Sequence, residues 1–327
     1  MIDNKKIKYI LPDFLAFSRN EIFMTLYRKF PHVIREKTEI YSFYGTFLNA
    51  IWNGGTYFFD YKNASVSEMK KVRDFYNKRG IVITFTFTNS LLKEEHLNDE
   101  YCNQILEIFN NGMNEILVVS PLLEKYIRDN YPKYKINRSI INTEKIPLVT
   151  DNYNLSVLQK FKNKDFDFLK SLSEEEKQRT ELLCDEICIN DCPYKYKHYR
   201  EYAYIQLNGC KPKNSSGDYG ECRFNENEKS SFIYKRIKDS KYYITYEDIT
   251  KKYIPLGFQF FKLSGRGKFE FSTTEFFIEY MIKPEYQMDV RTYIMERTFA
   301  DFRNETKMKL KIPELAESLN ASDWTYL

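Results

Sequence analysis

The sequence predicts an α/β fold, a TIM-like (β/α)8 barrel, and three observations carry that expectation. Short β-rich runs alternate with helical stretches, which favours parallel strands joined by crossover helices. Eight such runs can be counted, enough to close a cylinder. No Gly-x-Gly-x-x-Gly turn follows the first run, so an open sheet with a dinucleotide site has no support.

In chain order the expected strands are Lys8 to Phe17, Glu39 to Tyr44, Ile81 to Thr88, Glu115 to Ser120 and Ile136 to Ile141. They continue with the weaker Leu155 to Gln159, then Glu181 to Glu186 and Phe258 to Ser264. Ser67 to Lys78 and Asp99 to Asn111 read as helices because each ends just before a glycine, Gly80 or Gly112, that accepts a left-handed turn. Tyr101, Ile105, Ile108 and Phe109 form one apolar stripe at helical spacing, the face that would lie on the sheet. Thr273 to Met295 carries acidic residues early and Arg291 late, with Pro284 expected to kink or split it.

The connection from strand 7 to strand 8 exceeds what one crossover requires. An insertion over residues 189–245 at the catalytic end accounts for it. The barrel then occupies 1–297, and 298–327 is an appended tail with a candidate helix from Pro313 to Leu319.

Composition narrows the function classes. With 327 residues, 43% hydrophobic and 29% charged, including 27 Tyr and 26 Phe, the chain can bury a sizeable core. Fifty basic against 46 acidic residues leave +4, too little to argue for a polyanionic partner. Neither a membrane-spanning apolar run nor an apolar signal region behind a basic start is present, so a cytoplasmic location is expected. No Gly-x-Ser-x-Gly elbow, His-Glu-x-x-His helix or Walker loop supports a familiar hydrolase mechanism.

Cysteine is the informative residue type. Five of the six cysteines fall between 184 and 222, and crowded thiols in a reducing compartment point to metal more than to disulfides. Cys188, Cys192, Cys210 and Cys222 give a four-thiol set beginning just past strand 7. Such a set suits either a [4Fe–4S] cluster or a tetrahedral zinc. Zinc ribbons show paired C-x2-C knuckles, whereas Cys210 and Cys222 stand singly, so the spacing leans towards iron–sulfur without excluding zinc. Cys184, inside strand 7, and Cys102, in a helix, read as small buried hydrophobes.

Three segments resemble the collagenase-like peptidases, peptidase family U32. Glu181-Leu-Leu-Cys-Asp-Glu-Ile-Cys188-Ile-Asn-Asp-Cys192-Pro-Tyr is similar to that family's strand-plus-cysteine block. Gly257-Phe-Gln-Phe-Phe-Lys262-Leu-Ser-Gly265-Arg266 is similar to its Gly-x-x-x-x-Lys-Ile-Glu-Gly-Arg block, and Asn111 to Pro121 suits its fourth strand. The resemblance covers about residues 7–295. It implies a TIM-like core, a [4Fe–4S] cluster on four cysteines, and either oxygen-independent hydroxylation of ubiquinone precursors or RNA bases, or a protease label. The cysteine spacing departs from the family's usual one, and Ser264 stands where Glu is common.

The remaining candidates cluster at strand ends. Lys262 and Arg266 offer an ammonium and a forked guanidinium to an anionic substrate group; a structural ion pair with a barrel carboxylate is the plain alternative for Lys262. Asp185 and Glu186 alternate in direction, so one faces the mouth as a candidate acid or base, and Glu186 is included in the catalytic set. Trp52 and Asn53, before Gly54-Gly55, could stack a planar ring and bond its edge, or close a folded loop. Asn89, Ser120 and Asn142 are further candidates for lining the mouth. Pro193 to Arg200 interleaves basic and aromatic residues around His198, as a single-strand nucleic-acid surface does, but equally as an amphipathic helix does.

Together these readings predict an iron–sulfur enzyme acting on a small-molecule or nucleobase-like, planar or anionic substrate, with a redox or protein partner. A metal-stabilised binding module for protein or RNA is the second reading, and a peptidase the third.

Overall fold

The structure is a computed structural model describing residues 5–56, 58–142, 153–186, 195–210, 230–265 and 270–306. Eight parallel strands close into a barrel in sequence order: β1 (Ile7–Pro12), β2 (Thr38–Gly45), β3 (Val82–Phe87), β4 (Glu115–Val118), β5 (Lys135–Arg138), β6 (Ser156–Val157), β7 (Thr180–Leu183) and β8 (Phe260–Lys262). Closure comes from β8 pairing with β1, Lys8 opposite Phe260 through Ile10 opposite Lys262. Every expected strand falls on an observed one; β2 runs one residue further at each end, and the other strands stop short of their expected C-terminal ends.

Alternation within the strands separates two apolar populations. Tyr9, Leu11, Phe43, Ile83, Phe85 and Phe261 belong to the large buried cluster beneath the helices. Ile10, Tyr44, Leu155 and Phe260 form a second, small cluster, with Tyr41 against it, which fills part of the lumen. Tyr41 is an extra residue in β2: Tyr9 pairs with Ile40 and Ile10 with Ser42. That bulge turns its phenol inward.

The helices form the outer layer, beginning with α1 (Phe17–Lys29). Next, α2 (Val66–Asn77) starts at a capping box in which the Ser65 hydroxyl accepts from Glu68 N. In α3 (Glu100–Phe109) the Asp99 carboxylate accepts from Cys102 N, and the helix buries Cys102, Ile105, Leu106 and Phe109. The stripe is therefore rotated slightly from the sequence expectation, leaving Tyr101 and Ile108 half-buried. They are followed by α4 (Pro121–Asn130), α5 (Phe166–Ser171) and α6 (Glu174–Arg179). Near the C-terminus α11 (Glu270–Met281) and α12 (Gln287–Thr306) are separated by a 3-10 turn at Pro284–Tyr286, the break that the proline dictates.

Between β7 and β8 the described residues contain α7 (Lys195–Asn208), α8 (Ser230–Lys238), α9 (Tyr246–Asp248), a π turn (Ile249–Tyr253) and α10 (Ile254–Leu256). α7 lies on the loops after β2 and β3: Gln206 accepts from Phe58 N at 2.8 Å, and Asn89 Nδ2 donates to Ala203 O at 3.0 Å. Among the described residues no helix is long and apolar enough to cross a membrane.

Candidate active site at the barrel mouth

Ligand sites on this architecture assemble at the carboxyl ends of the strands. Lys262 ends β8 there, and its ammonium donates to Glu181 Oε1 at 2.7 Å while lying 4.3 Å from the centre of the Tyr44 ring. Both members of the ion pair are buried. The geometry is the barrel-carboxylate pair, so Lys262 is a cation already committed to a partner. Arg266 lies outside the described residues.

One step further along β7, the acids divide as alternation requires. Asp185 is fully buried and Glu186 half-buried. Asp185 Oδ1 accepts from Ser264 N at 2.6 Å and stands 3.1 Å from Ser264 Oγ, which donates to Asp185 O at 2.6 Å. Ser264 therefore holds Asp185 from the neighbouring strand end. Burial pushes the Asp185 carboxyl up to about 8, against the lowering effect of the Ser264 bonds, with the Glu186 charge adding to the rise.

The loop after β2 turns inward. Trp52 is fully buried, donates from Nε1 to His96 O at 2.7 Å, and packs edge-on against Phe87 and Tyr126. The structure thus places its ring in the core rather than at the mouth. Asn53 is buried too, donating to Thr56 O and accepting from Thr86 Oγ1. Gly54 is not a flexible hinge: a Cβ there would stand 2.2 Å from Thr88 O, so the two loops touch only because position 54 has no side chain.

Other candidates also have local structural tasks. Asn89 donates to Ile51 O and Ala203 O and accepts from Leu91 N, tying three segments together. Ser120 caps α4 by accepting from Leu123 N. Asn142 ends a 3-10 turn, Ile140–Asn142. His198, half-buried on α7, stacks near Tyr202 and is held low by burial.

Sequence reading overlooked the polar floor of the lumen. Glu115, buried at the start of β4, accepts from Tyr41 OH, from Asn154 Nδ2 at 3.0 Å, from Asn137 Nδ2 at 2.7 Å and from Thr84 Oγ1 at 3.3 Å. Burial raises its pKa, while the Tyr41 and Asn137 bonds oppose the rise. The available signal was a carboxylate opening the otherwise apolar run Glu115-Ile-Leu-Val-Val119.

Cys188, Cys192 and Cys222 lie outside the described residues, and no metal-holding group of His, Cys, Asp or Glu occurs among the described ones. The described thiols divide clearly. Cys102 and Cys184 are fully buried, and burial holds both thiols well above the ordinary range, which suits the hydrophobe reading. Cys210 is exposed and, among the described residues, free.

The donor set fits a thiolate-bound centre by chemistry, and α7 constrains how. Its 14 residues rise about 20 Å, whereas the three residues from Cys192 to Lys195 reach at most ~11 Å. Cys192 and Cys210 can share a centre only if the chain before α7 runs back along it.

No family model and no curated protein matches the sequence. Among solved structures, the chain is similar to one described as the U32 peptidase Mk0906, at 9% sequence identity and a TM-score of 0.44, covering 81% of this chain and 94% of that one.

Proposed function

We propose that this chain is a cytoplasmic enzyme of the barrel mouth that modifies a small planar or anionic substrate. The proposed reaction is oxygen-independent hydroxylation or a related modification, with Cys188, Cys192, Cys210 and Cys222 holding a [4Fe–4S] cluster. One observation carries the reading. The buried acid Asp185 lies two residues past β7 at the mouth, and Cys188 follows it by three residues, a reach of at most ~11 Å. That short reach supports a cysteine block that starts at the catalytic end.

When bound, a cluster of this type supplies one-electron chemistry. The chain's own residues supply the setting. Asp185 holds a proton near neutral pH, and Ser264 fixes its orientation. The Lys262–Glu181 pair supports the wall beside it, and Arg266 is the proposed contact for negative charge on the substrate.

Anaerobic purification tests this reading. The expected result is a brown protein containing iron and sulfide, with the colour lost in Cys188→Ala and Cys192→Ala. Cys210→Ala discriminates further, because α7 lies between Cys192 and Cys210 and a retained colour would leave Cys210 out of the ligand set. Colourless protein with stoichiometric zinc would favour the second reading, a structural metal that pins the insertion as a docking surface for protein or RNA. Metal-free protein would defeat both.

A further inference from the structure

Two buried side-chain oxygens without a hydrogen-bond partner, Asp185 Oδ2 and Tyr243 OH, belong to segments that meet just past β7. Their neighbourhood is fixed by backbone bonds. Ile244 N donates to Cys184 O at 3.0 Å, which lays the segment carrying Tyr243 beside the residue preceding Asp185. Tyr280 OH of α11 donates to Ile244 O, and Tyr9 OH of β1 donates to Tyr280 O at 3.1 Å, so the strap is held from behind. The Asp185 charge is among those raising the pKa values of both Tyr243 and Tyr280.

A buried polar atom left unsatisfied destabilises the fold, and here an acid and a phenol are both left so on segments joined by the Ile244–Cys184 backbone bond. Ordered water is the usual partner of such groups, provided that at least two polar atoms converge on it. Ser264 already occupies Oδ1, so the proton of a neutral Asp185 belongs on Oδ2, facing away from Ser264.

We propose that Asp185 and Tyr243 hold one ordered water between them, and that this acid–water–phenol unit stores a proton at the mouth, with Ser264 as its clamp. Oδ2–H donates to the water oxygen, and the water donates to the Tyr243 oxygen; no electron transfer or co-reactant is required. Burial stabilises the neutral form of both groups. Of the other groups facing the unit, Glu186 raises Asp185 and Glu279 of α11 raises Tyr243, the Tyr280 hydroxyl on α11 opposes the rise at Tyr243, and Cys184 beside Asp185 is itself held neutral by burial. The inference stands whether or not the cysteine block holds a metal.

Two measurements on the full chain test it. Infrared spectroscopy with carboxyl-labelled aspartate should show a protonated-acid band at pH 6 that disappears in Asp185→Asn. In Tyr243→Phe, which removes one oxygen and keeps the ring, the band should shift. A high-resolution crystal structure should place a water within hydrogen-bond distance of both Oδ2 and Tyr243 OH. Absence of the acid band in folded wild-type protein at pH 6, or a direct bond from Oδ2 to Tyr243 or another protein atom, would overturn the proposal.

Discussion

Lys262 and Glu181 form a 2.7 Å ion pair with side chains only 8% and 2% exposed, joining β8 to β7 inside the barrel. Removing one partner strands a buried charge, whereas removing both leaves a volume problem only. Lys262→Met is therefore expected to cost ~3–5 kcal/mol. Glu181→Gln with Lys262→Met should cost clearly less than the two single changes summed. Urea unfolding of the four proteins closes the cycle. Additive losses would mean that the pair is not coupled, and Lys262 would again be a cation free for substrate.

Trp52 makes a second prediction, because core and mouth positions behave differently in solution. As a fully buried ring bonded to His96 O, it should resist acrylamide quenching in a Trp324→Phe background, where it is the remaining tryptophan. Trp52→Ala should cost ~3–5 kcal/mol through the cavity it leaves. A readily quenched Trp52 whose removal spares stability would return the ring to the mouth.

The fold was legible in the sequence because a parallel barrel repeats one local pattern, and each apolar run bounded by turn residues became a strand. The misses have local causes. The apolar run continuing to Phe17 suggested a longer first strand, but Asp13 takes a left-handed φ of 63° and α1 begins at Phe17. Between these residues Asp13 Oδ1 accepts from Leu15 N, a turn formed by the side chain. The site was less legible because its contacts join distant residues. Lys262 meets Glu181 across 81 positions, and only the β7–β8 register, Glu181 opposite Phe260, brings them together. Trp52 and Asn53 looked like mouth residues because loop position says nothing about direction; the close approach at Gly54 turns that loop inward. Alternation could say that Asp185 and Glu186 differ, but not which one the Ser264 backbone would hold.

Gly265 is where the end of β8 meets α11. Its φ is +123°, and a Cβ would stand 2.0 Å from Thr273 Oγ1. Gly265→Ala thus combines backbone strain with a steric clash. The strain alone is expected to cost ~1–3 kcal/mol. Adding Thr273→Ala should restore part of the loss by removing the nearest atom, while the strain remains. Thermal unfolding of the single and double variants separates the two effects. If the double variant were no more stable than Gly265→Ala, the clash would not contribute.

Asp185 should give stability a distinct pH dependence. Its pKa is about 8 in the folded chain against 3.8 as the ordinary value, so between those limits the folded state binds a proton that the unfolded state has released. Stability from this group is complete below about pH 4 and is lost as pH rises towards and through 8, the reverse of a salt-bridged carboxylate. The full swing is on the order of several kcal/mol. Asp185→Asn cannot ionise, so its stability relative to wild type should improve from pH 5 to about pH 8 and then level off. Ser264→Ala removes the hydroxyl but keeps the backbone N–H that donates to Oδ1, so the wild-type slope should survive with a small change in midpoint. Chemical denaturation across that range measures both, and parallel wild-type and Asp185→Asn profiles would show that the buried carboxyl is ionised throughout.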